Sequence, residues 1–538
     1  MTLRPLTIVR SFHRLSTLCL LALLLQGCPG DGGGSGGGGA FAISTTAAPF
    51  GIVGSPYSAT LATTGGTAPF TWTLFGGALP AGLTLSNTAT GAITGTPTTA
   101  GNSSATFTVR DGNGNTATGP VSFAVHPRTD RVSVDTSGAA GDGPSTAPSI
   151  SSDGSLVAFV SQSTNFVPGV NNSQIYVHNR QTNQIELVSR DGNVAVNAGD
   201  GVSSAPVISG DGAFVAFVSQ STNLVPGVSG QQVYLRNRQT GQTTVVSVTA
   251  GGAASNGFVN SAPTISDNGQ FVAFVSNATN LVAGVNGQHI YLRDTIGGTT
   301  TLVSKDNGAV PGNGNSMTPS ISSTGQFIAF ASVATNLGAA GGTQQIYVHD
   351  RLNGANGTTS LISKDSAATA GNGNSSSPSI SGDGSLVAFA SLATNLVAGV
   401  TGQQIILHDQ NIGVNGTNSL ISHDNNAPPV QGNGVSSLPS ISSNGQVVTF
   451  TSLATNLLNP APAVAGQQVY SQDRLAGANG TTSLVSKDNS PIPVAGNSPS
   501  DQASANSDGS FVAFSSQAAN LLPTLPVAPT DIYVRALP

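Results

Sequence analysis

From Val132 to the C-terminus a block of about 59 residues is written seven times, each copy centred on a Val-Ala-Phe-like triplet. The aromatic falls at Phe159, Phe217, Phe274, Phe330, Phe389, Phe450 and Phe514. A unit this long, holding several short strands, cannot bury its apolar face alone, so the copies must stack or close radially. The second copy reads as four strands: Val207–Ser209 (A), Phe214–Ser219 (B), Gln232–Asn237 (C) and Thr243–Ser247 (D). Between A and B stands an Asp-Gly or Asn-Gly pair in most copies, as at Asp153-Gly154, Asp211-Gly212 and Asn268-Gly269, which predicts a two-residue hairpin turn. Strand B is apolar at successive positions, Leu156 to Val160, and therefore on both faces. That suits a sheet held between two neighbouring sheets, as in a propeller blade.

The ends of the array predict how it closes. The last copy stops after strand C, Asp531–Arg535, while an unpaired strand, Arg131-Val-Ser-Val-Asp135, precedes the first copy and matches strand D of the others (Leu187–Asp191). The N-terminal strand can complete the last blade and leave no open edge. The blade wording, Pro148-Ser-Ile-Ser-Ser-Asp-Gly-Ser-Leu-Val-Ala-Phe159, resembles TolB-like, PD40-type propeller repeats over about three quarters of the chain. That family's N-terminal α/β domain is not found here, so the resemblance does not imply a shared partner.

Ahead of the array, Leu79-Pro-Ala-Gly-Leu-Thr-Leu85 and Thr90-Gly-Ala-Ile-Thr-Gly-Thr-Pro97 resemble the Ig-like, cadherin-type domains of bacterial surface proteins. Phe70, Trp72 and Leu74 alternate with threonines, so the only tryptophan reads as core. Asp111–Gly114 reads as a hairpin turn, and with Asp111 the lone acid of the segment, no calcium cluster of the cadherin kind is expected. The sequence thus predicts an all-β chain: an Ig-like β-sandwich over 41–127, then a seven-bladed β-propeller over 128–538 closed by an N-terminal strand.

The first 27 residues read as a signal peptide, with Arg4, Arg10 and Arg14 before an apolar run, Leu15–Leu25, too short to span a bilayer. Leu25-Gln26-Gly27-Cys28 resembles the bacterial lipobox, which implies cleavage before Cys28 and its acylation. Residues 28–40 would then be the lipidated cysteine and a glycine-rich tether. The expected setting is the cell envelope at the outer membrane, with an acyl anchor as the one membrane contact. Removing 1–27 leaves 14 basic against 23 acidic residues, a formal −9 with no basic stripe, so nucleic acid is not an expected partner. Apart from Cys28 the mature chain holds no cysteine, and no disulfide is expected.

Chemistry is sparse. The B–C and D–A connections run beyond ten residues and share one face, where binding is expected to reside, though plain solvated connections would look alike. Strand D is followed by Asp135, Asp191, Asp306, Asp365, Asp424 and Asp488, with Thr249 in the remaining copy. These are the candidate long-loop-face residues. Repetition in nearly every blade favours Asx-turns over a site, with Lys305, Lys364 and Lys487 beside them as neutralising partners. The Ser-x-x-x-Asn frame (Ser161/Asn165, Ser219/Asn223) reads as loop architecture. His178, His349 and His408 share one strand-C position with Arg236, Arg293 and Gln472, and that change of type predicts a surface position. Val and Gln stand where TolB-like relatives carry loop carboxylates, so no metal or cofactor is expected. Gly33-Gly-Ser-Gly-Gly37 lies in the tether, where no nucleophile elbow forms. The reading is a non-catalytic binding or scaffold lipoprotein with a monomeric propeller, its partner an envelope protein or glycan. The alternative is a carbohydrate-active or other hydrolytic enzyme using loop aspartates.

Overall fold

The computed structural model describes residues 40–192, 197–259, 261–338, 342–459, 466–490, 493–522 and 530–537. The expected signal peptide, Cys28 and nearly all of the tether lie outside them. The described chain is the predicted all-β arrangement of a sandwich followed by a propeller.

In the sandwich, one sheet orders Gly51–Ile52, Thr116–His126, Gly101–Arg110 and Thr71–Gly77, and the other Tyr57–Thr60, Ala92–Gly95 and Leu83–Asn87. Inward positions alternate along the strands, and Trp72, Ile93, Phe107, Val109, Val121 and Phe123 meet in one buried cluster. Asp111 closes its hairpin by accepting the amides of Thr67, Asn113 and Asn115. Its carboxyl lies below the ordinary range; desolvation opposes that shift and the hydrogen bonds around it outweigh desolvation.

Among the described residues, seven four-stranded antiparallel sheets follow. Blade 1 runs Ser145–Ile150 (A), Leu156–Ser161 (B), Gln174–Asn179 (C) and Gln184–Leu187 (D). Strand B serves two cores at once. Val157 and Phe159 join a cluster with Ala513, Ile532 and Val534 of blade 7, while Ala158 and Val160 join one with Val215 and Phe217 of blade 2. The strand-B phenylalanine also stacks on the strand-C tyrosine in most blades, as Phe330 on Tyr347 at 5.7 Å.

Closure is by the N-terminal strand. Thr129–Arg131 pairs antiparallel with Asp531–Ala536, Asp130 opposite Val534, and the Val132 amide extends the ladder to the Ile532 carbonyl. A second closed ring lies at the A–B turns. Backbone amides of Ser152, Asp211, Asp267, Ser323, Gly382, Asn444 and Ser507 each donate to the turn of the next blade, and Ser507 returns to Ser152. Every blade is therefore tied to both neighbours around the axis.

The A–B turn differs from the two-residue hairpin expected. Blade strands A and B are separated by Ser151–Ser155, the Gly154 amide bonds to the Ser151 carbonyl, and only Gly154 has positive φ, at 72°. A two-residue type I′ turn needs positive φ at both central residues, so this is a longer turn ending in a left-handed glycine. That glycine also has no room for a Cβ, which would stand 2.5 Å from the Phe511 ring.

The sandwich touches the propeller at the closure seam, on the short-turn face. Arg180 of blade 1 lies between the rings of Phe511 in blade 7 (4.8 Å) and Phe50 in the sandwich (4.7 Å). His126 Nε2 meets the Arg180 carbonyl at 2.6 Å, and Gln181 donates to the Ala48 carbonyl.

Candidate functional site

On the opposite face the long loops gather around the channel. Their described residues are not the loosely solvated connections that composition alone allows. The B–C loops bury Phe166, Leu224, Leu281, Leu337, Leu396, Leu457 and Leu521. Their asparagines clamp the D–A loops: Asn395 donates to the Ala370 carbonyl and accepts the Asn372 amide, and Asn165 and Asn223 do likewise in blades 1 and 2. The Ser-x-x-x-Asn frame is loop architecture, as its repetition suggested.

Inside this face, strand A of all seven blades lines a channel mouth of about 590 Å³. In six blades strand A is bulged, with register shifts such as Thr146/Ser149 and Ser437/Ser440. Each bulge holds a non-glycine residue in the left-handed region: Ala147, Ala205, Thr318, Ser377, Leu438 and Gln502, at φ 50–53°. This conformation costs an L-residue about 1–2 kcal/mol, and such strain gathers where a structure presents a surface to something else. Strand A has no sheet partner on its inner side, so its edge offers backbone donors and acceptors to the channel. Several are already used: the Ala147 amide donates to Gln502 Oε1 at 2.8 Å, and the amides of Ile208, Ile380, Ile441 and Ala505 donate to a strand-A serine of the preceding blade. None of the lining side chains is charged.

The candidate aspartates do not converge. Each stays in its own blade and closes a short turn. Asp135 Oδ1 accepts from the Ser137 and Ala139 amides, Asp306 from Gly308 and Val310, Asp365 from Ala367 and Thr369. Asp424 accepts from Asn426 and Val430, and Asp488 from Ser490 and Val494. Asp191 accepts from the Asn197 side chain. Thr249 keeps the same turn by accepting the Ala253 amide, which explains why one copy dispenses with the carboxylate. Asp191 and Asp424 are buried and the other four half-buried. Hydrogen bonding from the Ser137 hydroxyl holds the Asp135 carboxyl below its ordinary range. No cluster of three His, Cys, Asp or Glu side chains suited to a metal occurs among the described residues.

Two expectations need correction. The lysines do not pair with the aspartates, for among the described residues the ion pairs are His126–Asp130, Arg131–Asp531 and Arg238–Glu186. Lys305 instead lies half-desolvated near His349 of the next blade, and burial lowers its pKa. The strand-C position is not surface. His178, Arg236, His349, His408, Gln472 and Arg535 are all at most 5% exposed. Arg236, Arg535 and Gln472 bridge to the strand-D end of the preceding blade, at the Asp191 carbonyl, the Lys487 carbonyl and His423, whereas His178, His349 and His408 bond within their own blade, to Asn183, Thr359 and Asn418.

A further repeated lock went unread. The first residue of strand C is a buried glutamine in most blades. Gln345 Oε1 accepts the Ser363 hydroxyl at 2.5 Å and its amide donates to the Gly371 carbonyl at 2.8 Å. Gln174, Gln232, Gln404 and Gln468 repeat the pattern. In blade 7 the position is Asp531, which accepts from Ser133 and pairs with Arg131, so the seam carries a charged version of the same lock. The signal was present in the recurrence of Gln before Ile/Val-Tyr and of Ser two residues before each aspartate.

Residues 40–126 match the family described as Putative Ig domain. No curated protein matches the chain. Among solved structures, an oligogalacturonate lyase in complex with manganese is similar at 12% identity, covering 76% of this chain and 93% of that one, with a TM-score of 0.48. An oligogalacturonate lyase from Vibrio parahaemolyticus follows at 11% identity, the same coverages and a TM-score of 0.45. A periplasmic gluconolactonase of Pseudomonas aeruginosa shows 14% identity over 71% of this chain and 91% of that one, with a TM-score of 0.33. The activities named are those of those proteins.

Proposed function

We propose that the protein is a non-catalytic, lipid-anchored binding or scaffold module of the cell envelope, receiving an envelope protein or glycan at the channel mouth of its long-loop face. The observation that carries this reading is the mouth itself, a rigid concave site built by all seven blades and lined by uncharged groups. A hydrolytic site would need a carboxylate or imidazole free to act on a substrate. Five of the six candidate aspartates are instead committed to backbone amides, and the sixth, Asp191, is buried and accepts from the Asn197 side chain. Acylation at Cys28 followed by a glycine tether would hold this platform off the membrane.

The test uses glycan arrays and envelope pull-downs with the soluble Cys28→Ser chain and its Leu438→Asp variant. Leu438 is exposed at the mouth, so the substitution leaves the fold intact. Loss of binding in the variant is the expected outcome. Binding that survives it, or polymer turnover abolished by Asp135→Asn, contradicts the reading.

A further inference from the structure

We propose that the occupant of the mouth is a basic amphipathic segment of a partner protein. The inference rests on the reading of the long-loop face as the binding face and commits it to one ligand chemistry. The residue after strand B sits at the rim, since its amide donates to the residue just before strand A. The pairs are Gln162 to Pro144, Gln220 to Val202, Val333 to Asn315, Leu392 to Asn374, Leu453 to Val435 and Gln517 to Pro499. At that position the rim is two-sided, although Val202 and Phe258, whose carbonyls accept the matching amides in blades 2 and 3, are exposed apolar residues as well. Blades 4 to 6 present Val333, Leu392 and Leu453, the last two 47% and 51% exposed, with Leu438 in the wall beside them. Blades 7, 1 and 2 present Gln517, Gln162 and Gln220 at the same positions.

Charge follows the same division. The exposed carboxylates Asp142 and Asp200 stand in the D–A loops that lead into blades 1 and 2, each hydrogen-bonded to a threonine, Thr164 and Thr222. These bonds are the largest cause of their lowered pKa values, so both are ionised at neutral pH. Asp501 adds a half-buried carboxylate in blade 7, held by the Ser515 hydroxyl. No lysine or arginine occurs in the B–C loops, or in the D–A loops beyond the aspartate or threonine that follows strand D. Such a face attracts cations from one side and buries apolar side chains on the other. A glycan would leave the leucine side unused, and an anionic membrane surface would be repelled by the carboxylates.

The test measures fluorescence anisotropy of the Cys28→Ser chain with a short amphipathic Leu/Lys peptide, its Leu/Glu counterpart and a Ser/Lys control. The Leu/Lys peptide is expected to bind at least about tenfold more tightly than either control. Leu392→Asp with Leu453→Asp is expected to weaken it about tenfold. Asp142→Asn with Asp200→Asn is expected to weaken it less and to flatten its salt dependence. If removal of the aspartate hydrogen bonds disturbs the loops, Gln220→Lys places a like charge at the rim and is expected to weaken the same peptide. Leu/Lys binding indifferent to the leucine variants overturns the proposal. If those variants abolish glycan-array binding while the peptide is unaffected, the partner chemistry is wrong and the binding face stands. If no rim variant changes any ligand, both fall.

Discussion

Deleting residues 129–136 is expected to lower the melting temperature by about 10 °C or more. The deletion removes the outer strand of blade 7 and exposes the edge of Asp531–Ala536. It takes Val132, fully buried, out of the cluster shared by blades 7 and 1, a loss of about 2 kcal/mol or more. It also leaves Asp531, 1% exposed, without Arg131 and Ser133. Breaking a buried pair by removing one partner costs about 3–5 kcal/mol, so closure contributes at least about 5 kcal/mol in total. The point variant Val132→Asp leaves the connection to the sandwich intact and is expected to reproduce most of the loss. Calorimetry checks both, and an unchanged melting temperature in both contradicts the closure.

Acid is expected to loosen the ring before it protonates the carboxylates. Burial, the largest effect, pushes His178 and His349 down to about 4, and it lowers His408 as well. These imidazoles are neutral in the folded protein, while in the unfolded chain they titrate near 6.5. Below that value the unfolded chain takes up protons that the folded one does not, so stability falls as pH drops from about 6.5 towards 4. At pH 5 the loss is about 2 kcal/mol for each of the two strongly shifted histidines. Asp135, Asp142, Asp153 and Asp200, held below their ordinary values, add a loss of the same sign only at lower pH. Melting temperature followed from pH 7 to 5 reads this directly. The slope should shrink in His349→Gln, whose amide can still reach the Thr359 hydroxyl that His349 Nδ1 meets at 3.0 Å.

The scaffold was largely legible and the site was not. Seven evenly spaced phenylalanines and a surplus strand before the first copy were enough to predict a closed ring, because both are patterns of number and order. Trp72 was legible for a similar reason, as alternation marks an inward face. Strand A was read too short, as Val207–Ser209 instead of Ser203–Ile208, because the bulge interrupts its alternation. No glycine announces the left-handed residues at Leu438 or Thr318, so the channel wall was invisible. Gln345 and His349 look like surface residues in a list of letters. Only the packing of one blade on the next shows that they are buried and satisfied. The aspartates were legible as turn formers because they recur in nearly every blade, and the structure adds that Thr249 keeps the same turn without a carboxylate.

The face at the channel mouth exists only while the ring is closed, and hydrogen exchange measures that closure without a mutation. Amides in 128–135 and 531–537 are expected to exchange as slowly as those of strand B in the central blades, through global unfolding alone. Rapid exchange of 531–537, with strand B still protected, would show a frayed last blade and contradict the closed ring.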